Sequence, residues 1–326
     1  MNEDRVPDEL AEEIKAGEWS PTAEFHPYQH DEPLPSGRVP HFGHALLFFG
    51  ITGLLLLVTQ AIMLLPAMHG QSPTQLAQQH PKLVLASEAA SYLLTLTISW
   101  FVFPLLWHRS FANGLAWNGS KALQLAGKLI PLGILAGWTV QGISSLISMP
   151  KSMPMDDFFR SSTDVWLVTI FGTLLAPLFE EVCFRGFLLP ALTIAFDWLG
   201  AWSRYLVRFS SSRAQGDLPP EDFQAFPEAR TASLETGNMA YRSTAAIALS
   251  SLVTSTLFGL LHAQQLGYTW PAVLLLGCVS LILTAVRLHT RSVACSALVH
   301  ASYNFSVFLA LFVATGGYRH LDRMAR

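Results

Sequence analysis

Charge is what this 326-residue chain has least of: Asp, Glu, Lys and Arg make up 13% of it, against 51% apolar residues. A soluble domain carries about 25% charged residues, so roughly half of the usual complement is missing. So apolar a composition excludes a disordered chain and most ordinary soluble enzymes. With 20 basic against 23 acidic residues there is no basic face for nucleic acid, and a net charge of −3 implies no polyanionic partner. Cysteine is scarce too. Cys183, Cys278 and Cys295 are odd in number, and each sits in an apolar run. They read as small core hydrophobes, excluding a disulfide framework and the paired C-x-x-C spacing of a zinc site. No repeat of 20–50 residues is visible, which excludes a solenoid. No secretory signal is expected, because the first long apolar run begins near His44 without a small-residue cleavage site.

Long apolar runs are what the chain has in plenty, and a helix needs about 20 such residues to cross a bilayer. The runs 44–67, 83–106, 123–148, 244–262, 271–289 and 293–315 read as spans. The second carries one acid, Glu88, expected near a span edge or paired with a neighbour; the third is rich in Gly and Ser. A longer run, 164–202, exceeds one perpendicular span and is interrupted by Pro177 and Pro190. The expected fold is therefore an all-α, polytopic transmembrane helix bundle of seven to eight spans. Residues 1–40 read as a disordered polar tail, 41–163 as N-terminal spans, 164–315 as a second membrane domain, and 316–326 as a short basic tail. Within the second domain, 203–243 holds five arginines, five acids and Pro219-Pro220, and reads as a polar extramembrane loop.

The distribution of Lys and Arg favours seven spans with the N-terminus inside, the 164–202 run crossing once and then lying along the interface. Arg109, Lys121, the loop arginines, Arg287 and Arg291 then fall inside. The C-terminal Arg319, Arg323 and Arg326 argue the other way.

Ionisable residues inside spans are costly, so each is a functional candidate. In F-E-E-V-C-F-R-G (179–186), Glu181 and Arg185 are four apart on one helical face and can pair. Glu180 points about 100° away, without a local partner, and is a candidate proton acceptor. His262 closes the phrase F-G-L-L-H (258–262), and His300 and Asn304 share a face in H-A-S-Y-N (300–304). Each group also has a plainer reading: an ion cluster at a helix end, an interfacial histidine, helix-to-helix hydrogen bonding. Taken together, two acids, two imidazoles and an amide on three spans are expected to converge on one another or on water.

In order, E-E-x-x-x-R, F-x-x-x-H and H-x-x-x-N resemble the motifs of the CPBP family of intramembrane proteases. That family groups type II CAAX prenyl proteases with bacteriocin-processing and self-immunity proteins. The matching phrases are APLFEEVCFRGFLLPAL (176–192), FGLLH (258–262) and HASYN (300–304), within about 164–315. The resemblance implies that Glu180 activates a water for attack on a peptide carbonyl and that His262 helps to hold it. His300 and Asn304 would stabilise the oxyanion, with Glu181 and Arg185 orienting Glu180. It leaves two versions open. One is metal-independent, with no cofactor. The other is a zinc enzyme with Glu180, His262 and His300 as ligands, although H-E-x-x-H spacing is absent and Asn is an unusual zinc ligand. The insert 203–243 is longer than the family usually has there.

The implied function is an intramembrane endopeptidase acting on a membrane-associated or lipidated substrate, either prenylated or a bacteriocin precursor. Its partners are that peptide or protein and membrane lipid, and its expected place is a bacterial plasma membrane. Two other readings stand beside it: a proton-coupled transporter, which predicts discontinuous helices in two related halves, and a non-catalytic membrane scaffold.

Overall fold

The computed structural model describes residues 40–67, 75, 79–148, 150, 154–159, 161–215 and 242–322. The tail read at 1–40, except its last residue, the greater part of the polar insert and the end of the basic tail lie outside the described residues. The chain divides into two units, Met1–Pro35 and Ser36–Arg326, and every described residue belongs to the second. Among the described residues there is no strand.

Seven helical runs appear where the apolar runs predict them. They are α1 (Phe42–Leu64), α2 (Pro81–Trp107), α3 (Ala126–Ser144), α4 (162–215), α5 (Thr244–Leu261), α6 (Trp270–Thr290) and α7 (Val293–Ala314). All except α3 are long and apolar enough to cross a membrane. At 19 residues α3 extends about 28 Å, close to the hydrocarbon thickness, but Lys128, Pro131 and Gln141 dilute its apolar character. The protein is an integral membrane protein. Side chains such as Leu54, Leu57, Phe101 and Leu105 stand exposed on α1 and α2, a surface that only lipid tails solvate cheaply.

Local chemistry sets the ends. At the start of α1 the His41 ring accepts from the Gly43 amide, and the His44 ring accepts from the His41 amide. Pro81 opens α2, where its missing N–H costs nothing, and His108 closes it in the left-handed region at φ 54°. The two helices form an antiparallel pair, fastened where Thr59 donates to the Ser87 carbonyl at 2.9 Å.

The helix α4 overturns one expectation. Pro177 and Pro190 do not interrupt it. Instead, a π-helical turn precedes each proline, Phe171–Leu175 before the first and Val182–Leu188 before the second. A proline has no N–H for the carbonyl four residues back, and its ring crowds that carbonyl. Widening the turn moves the bonding to five residues: Ala176 N–H reaches Phe171 O, and Leu189 N–H reaches Phe184 O. The helix continues to Gln215, taking in the first part of the stretch read as a polar loop. Its length of about 80 Å far exceeds a single perpendicular crossing.

Glycines let α3 and α7 meet closely. A Cβ on Gly133 would strike the Val299 carbonyl and Ser302, and one on Gly137 would strike Ser306. Gly133 and Gly137 form the small-x-x-x-small pattern that membrane helices use to approach. On the other side an aromatic core from α1, α2, α4 and α5 gathers Phe48, Phe103, Trp107, Phe179, Phe187 and Phe258. It packs beneath the helical turn that carries Glu180 and Glu181.

Candidate active site

Glu181 ends the short α-helical stretch Ala176–Glu181, held between the two π turns of α4. The wider turn that follows carries Arg185, which stays on the same side as Glu181. Arg185 Nη1 donates to Glu181 Oε1 at 2.8 Å, and both side chains are fully buried. Arg185 Nη2 donates to the carbonyl and to the hydroxyl of Ser280 on α6, each at 2.7 Å. An unpaired buried guanidinium would be very costly; this one has three acceptors.

His300 approaches from α7. Its Nδ1 lies 3.0 Å from Glu181 Oε1, and its Nε2 lies 3.8 Å from Glu180 Oε2. A carboxylate oxygen already taking a proton from Arg185 can only accept, so Nδ1–H is the donor and Nε2 is the atom turned toward Glu180. Glu180 keeps 20% of its side-chain surface accessible, whereas Glu181 keeps none. The neighbouring acids thus have different surroundings: one locked, one facing open space.

Asn304, one turn beyond His300, donates through Nδ2 to the Gly172 carbonyl at 2.6 Å. That carbonyl lies in the first π turn, where the helical ladder is loosened, and the Asn304 amide supplies the bond. The second N–H of this amide remains for another acceptor.

His262 stands just past the end of α5. Its Nδ1 lies 2.8 Å from the Phe258 carbonyl; since a carbonyl only accepts, Nδ1 carries the proton and Nε2 is the acceptor. Both histidines lie against the Phe258 ring, whose centroid is 4.8 Å from that of His262 and 5.7 Å from that of His300. The same ring receives the Arg185 guanidinium at 5.3 Å. The structure therefore brings Glu180, Glu181, Arg185 and His300 into one cluster, with Asn304 one turn further along α7 and His262 against the Phe258 ring that also touches His300.

Among the described residues no three His, Cys, Asp or Glu side chains are grouped to hold a metal ion. In the zinc alternative, Glu180 and His300 face each other at 3.8 Å, and with the Nδ1 atoms of both histidines engaged each has Nε2 left as the donor atom.

Glu88 is the eighth of the 27 residues of α2, and the charge acting on it is that of Glu180. Ser280 and Phe258 also shape the cluster. Phe258 belonged to a recognised phrase, whereas no sequence signal separates Ser280 from the other serines of the apolar runs.

Fold and cluster together define a polytopic membrane protein with an ionised site in its C-terminal half. Residues 162–306 match the family model described as Type II CAAX prenyl endopeptidase Rce1-like, a stretch that takes in all three motifs. Over this segment the chain is similar to the CPBP and CAAX protease family of membrane peptidases. Neither a curated protein nor a solved structure matches the chain.

Proposed function

We propose that the protein is an intramembrane endopeptidase in which Glu180 activates the attacking water without a metal. The observation that carries this reading is the two-sided contact of His300, bound to Glu181 through one ring nitrogen and facing Glu180 through the other. A water lodged between Glu180 and His300 touches a carboxylate that can take its proton. His262 Nε2, an acceptor by its tautomer, is the second group to hold that water.

As the water oxygen bonds to the scissile carbonyl carbon, negative charge grows on the carbonyl oxygen. The free N–H of Asn304 and an Nε2–H of His300 are the donors for it. Since Nδ1–H is committed to Glu181, His300 donates from Nε2 only as the imidazolium. Glu181, Arg185 and Ser280 do not touch the reacting atoms. They hold His300 in its tautomer and fix the turn that presents Glu180.

The substrate of this reading is a lipidated, CAAX-like peptide in a bacterial plasma membrane, with the N-terminal helices as scaffold. The test is cleavage of a prenylated peptide by the purified full chain in detergent or vesicles, with both products identified by mass. Support is a new carboxylate and a new amine, at a rate unchanged by a strong chelator. Loss of cleavage with the chelator, restored by zinc, would overturn the metal-free mechanism. Ion flux without cleavage would favour a transporter.

A further inference from the structure

Helix α2 lies outside the matched segment 162–306, yet it carries two titratable side chains, Glu88 and Tyr92, on the face that packs against α4. Glu88 is half-buried and is the one acid of its helix, and an acid within a span is costly unless it serves a site. Tyr92, one turn further on, shares the Glu88 face. Its ring stacks on Phe179, the residue before Glu180, with centroids 3.8 Å apart and planes within 7°, and also on Phe171 at 5.7 Å. This double stack fixes the α2 face against the helical turn that carries Glu180. Glu88 and Tyr92 accordingly both lie within electrostatic reach of Glu180, and Tyr92 also of Cys183.

The other titratable groups around this space are accounted for. From α4, Glu181 and Arg185 are bound to each other, and from α7, His300 is held by Glu181. His262 bonds the Phe258 carbonyl at the end of α5. α1 contributes Phe48, which packs against Phe179 at 6.0 Å. Once His300 and Asn304 are spent on the oxyanion, the donors left for a departing amine are Glu180, with the proton it has taken from the water, and Glu88 on α2. Peptide hydrolysis requires such a donor, because an unprotonated amine anion is a very poor leaving group.

We propose that Glu88 is a further catalytic residue, the general acid for the leaving amine, working opposite Glu180 as general base. The proposal rests on the reading of Glu180 given above. In this division of roles Glu180 takes the proton of the water and Glu88 carries the proton that the amine needs. The step balances. As the water oxygen bonds to the carbonyl carbon, its proton passes to Glu180. As the carbon–nitrogen bond breaks, the Glu88 proton passes to the amine nitrogen. The proton on Glu180 then moves to Glu88, and one water has been consumed for one carboxyl and one amine.

The experiment compares two lipopeptides of the same sequence, one with the scissile amide and one with an ester of a weakly basic alcohol in its place. An ester leaves without a proton donor. Glu88→Gln in the full-length protein is expected to lower kcat on the amide about 10²–10³-fold with little change in KM, the size of a lost acid–base group. On the ester it keeps a rate within about threefold of the wild type, which also shows that the variant is folded, while Glu88→Asp recovers part of the amide rate. Glu180→Gln loses both substrates. Equal losses on ester and amide, or an undiminished amide rate in Glu88→Gln, would overturn the role of Glu88. A wild type that cleaves neither substrate would overturn the protease reading itself.

Discussion

The Nδ1 atom of His300 lies 3.0 Å from Oε1 of Glu181, and this one contact joins α7 to α4 at the level of the acid pair. The same oxygen receives Arg185, so a single carboxylate oxygen anchors both the guanidinium and the imidazole. Of the two adjacent acids, Glu181 is fully buried and held by both partners, whereas Glu180, the base in the proposed reaction, keeps part of its surface accessible.

Arg185→Met removes the partner of a fully buried carboxylate. Breaking a buried pair from one side costs about 3–5 kcal/mol, so thermal unfolding in detergent should show a large loss of stability and a lower folded yield. The double change Glu181→Gln with Arg185→Met should recover part of that stability while activity stays low, because His300 has lost its anchor. A single variant as stable as the wild type would contradict the anchoring role.

His300→Ala and Asn304→Ala remove the proposed oxyanion donors. Each should lower kcat by about 10²–10³-fold, with KM changed far less. Asn304→Ala also frees the Gly172 carbonyl and should cost about 1 kcal/mol of stability besides. Steady-state kinetics on a lipidated peptide would show the split, and a rise in KM at constant kcat would argue for substrate binding instead.

Gly133→Val and Gly137→Val should separate α3 from α7, since a Cβ at either place meets the backbone or a serine of α7. Both should lose stability and activity together, by pushing the α7 residues His300 and Asn304 out of register with α4. Gly142→Ala on the same helix is the control, for nothing stands within 4 Å of its added Cβ. Thermal unfolding and cleavage rates measured in parallel would show whether the three positions differ.

His262→Gln keeps a hydrogen-bonding side chain but lacks an imidazole acceptor. If His262 holds the water, its loss should lower kcat by about 10²-fold with the protein still folded. A change confined to stability would make His262 a cap for α5 and no more.

Much of this was legible in the chain. The apolar runs marked the long helices to within a few residues, except at the far end of α4, which runs on to Gln215, because twenty consecutive apolar residues have few alternatives to a span. The pairing of Glu181 with Arg185 followed from a spacing of four, and it survives the π turn. The π turns themselves were not read, although Pro177 and Pro190 were their signal: each proline is accommodated by widening the turn before it. The role of Ser280 was hidden, for a serine in an apolar run is polar only to the neighbour that reaches it, and Arg185 reaches it from another helix. Glu88 was visible as a lone acid, but what it faces depends on how α2 packs on α4, fixed by the stacking of Tyr92 on Phe179. Sequence spacing carries no information of that kind.

The most direct test is the rate at which purified Glu180→Gln hydrolyses a lipidated peptide that the wild type cleaves. Glutamine keeps the shape of the side chain and removes its ability to take a proton. The account predicts a folded protein, with Glu181 still holding Arg185 and His300, that binds the peptide and turns it over at least about 10³-fold more slowly. Hydrolysis within tenfold of the wild-type rate would contradict it, since the base would then be some other group.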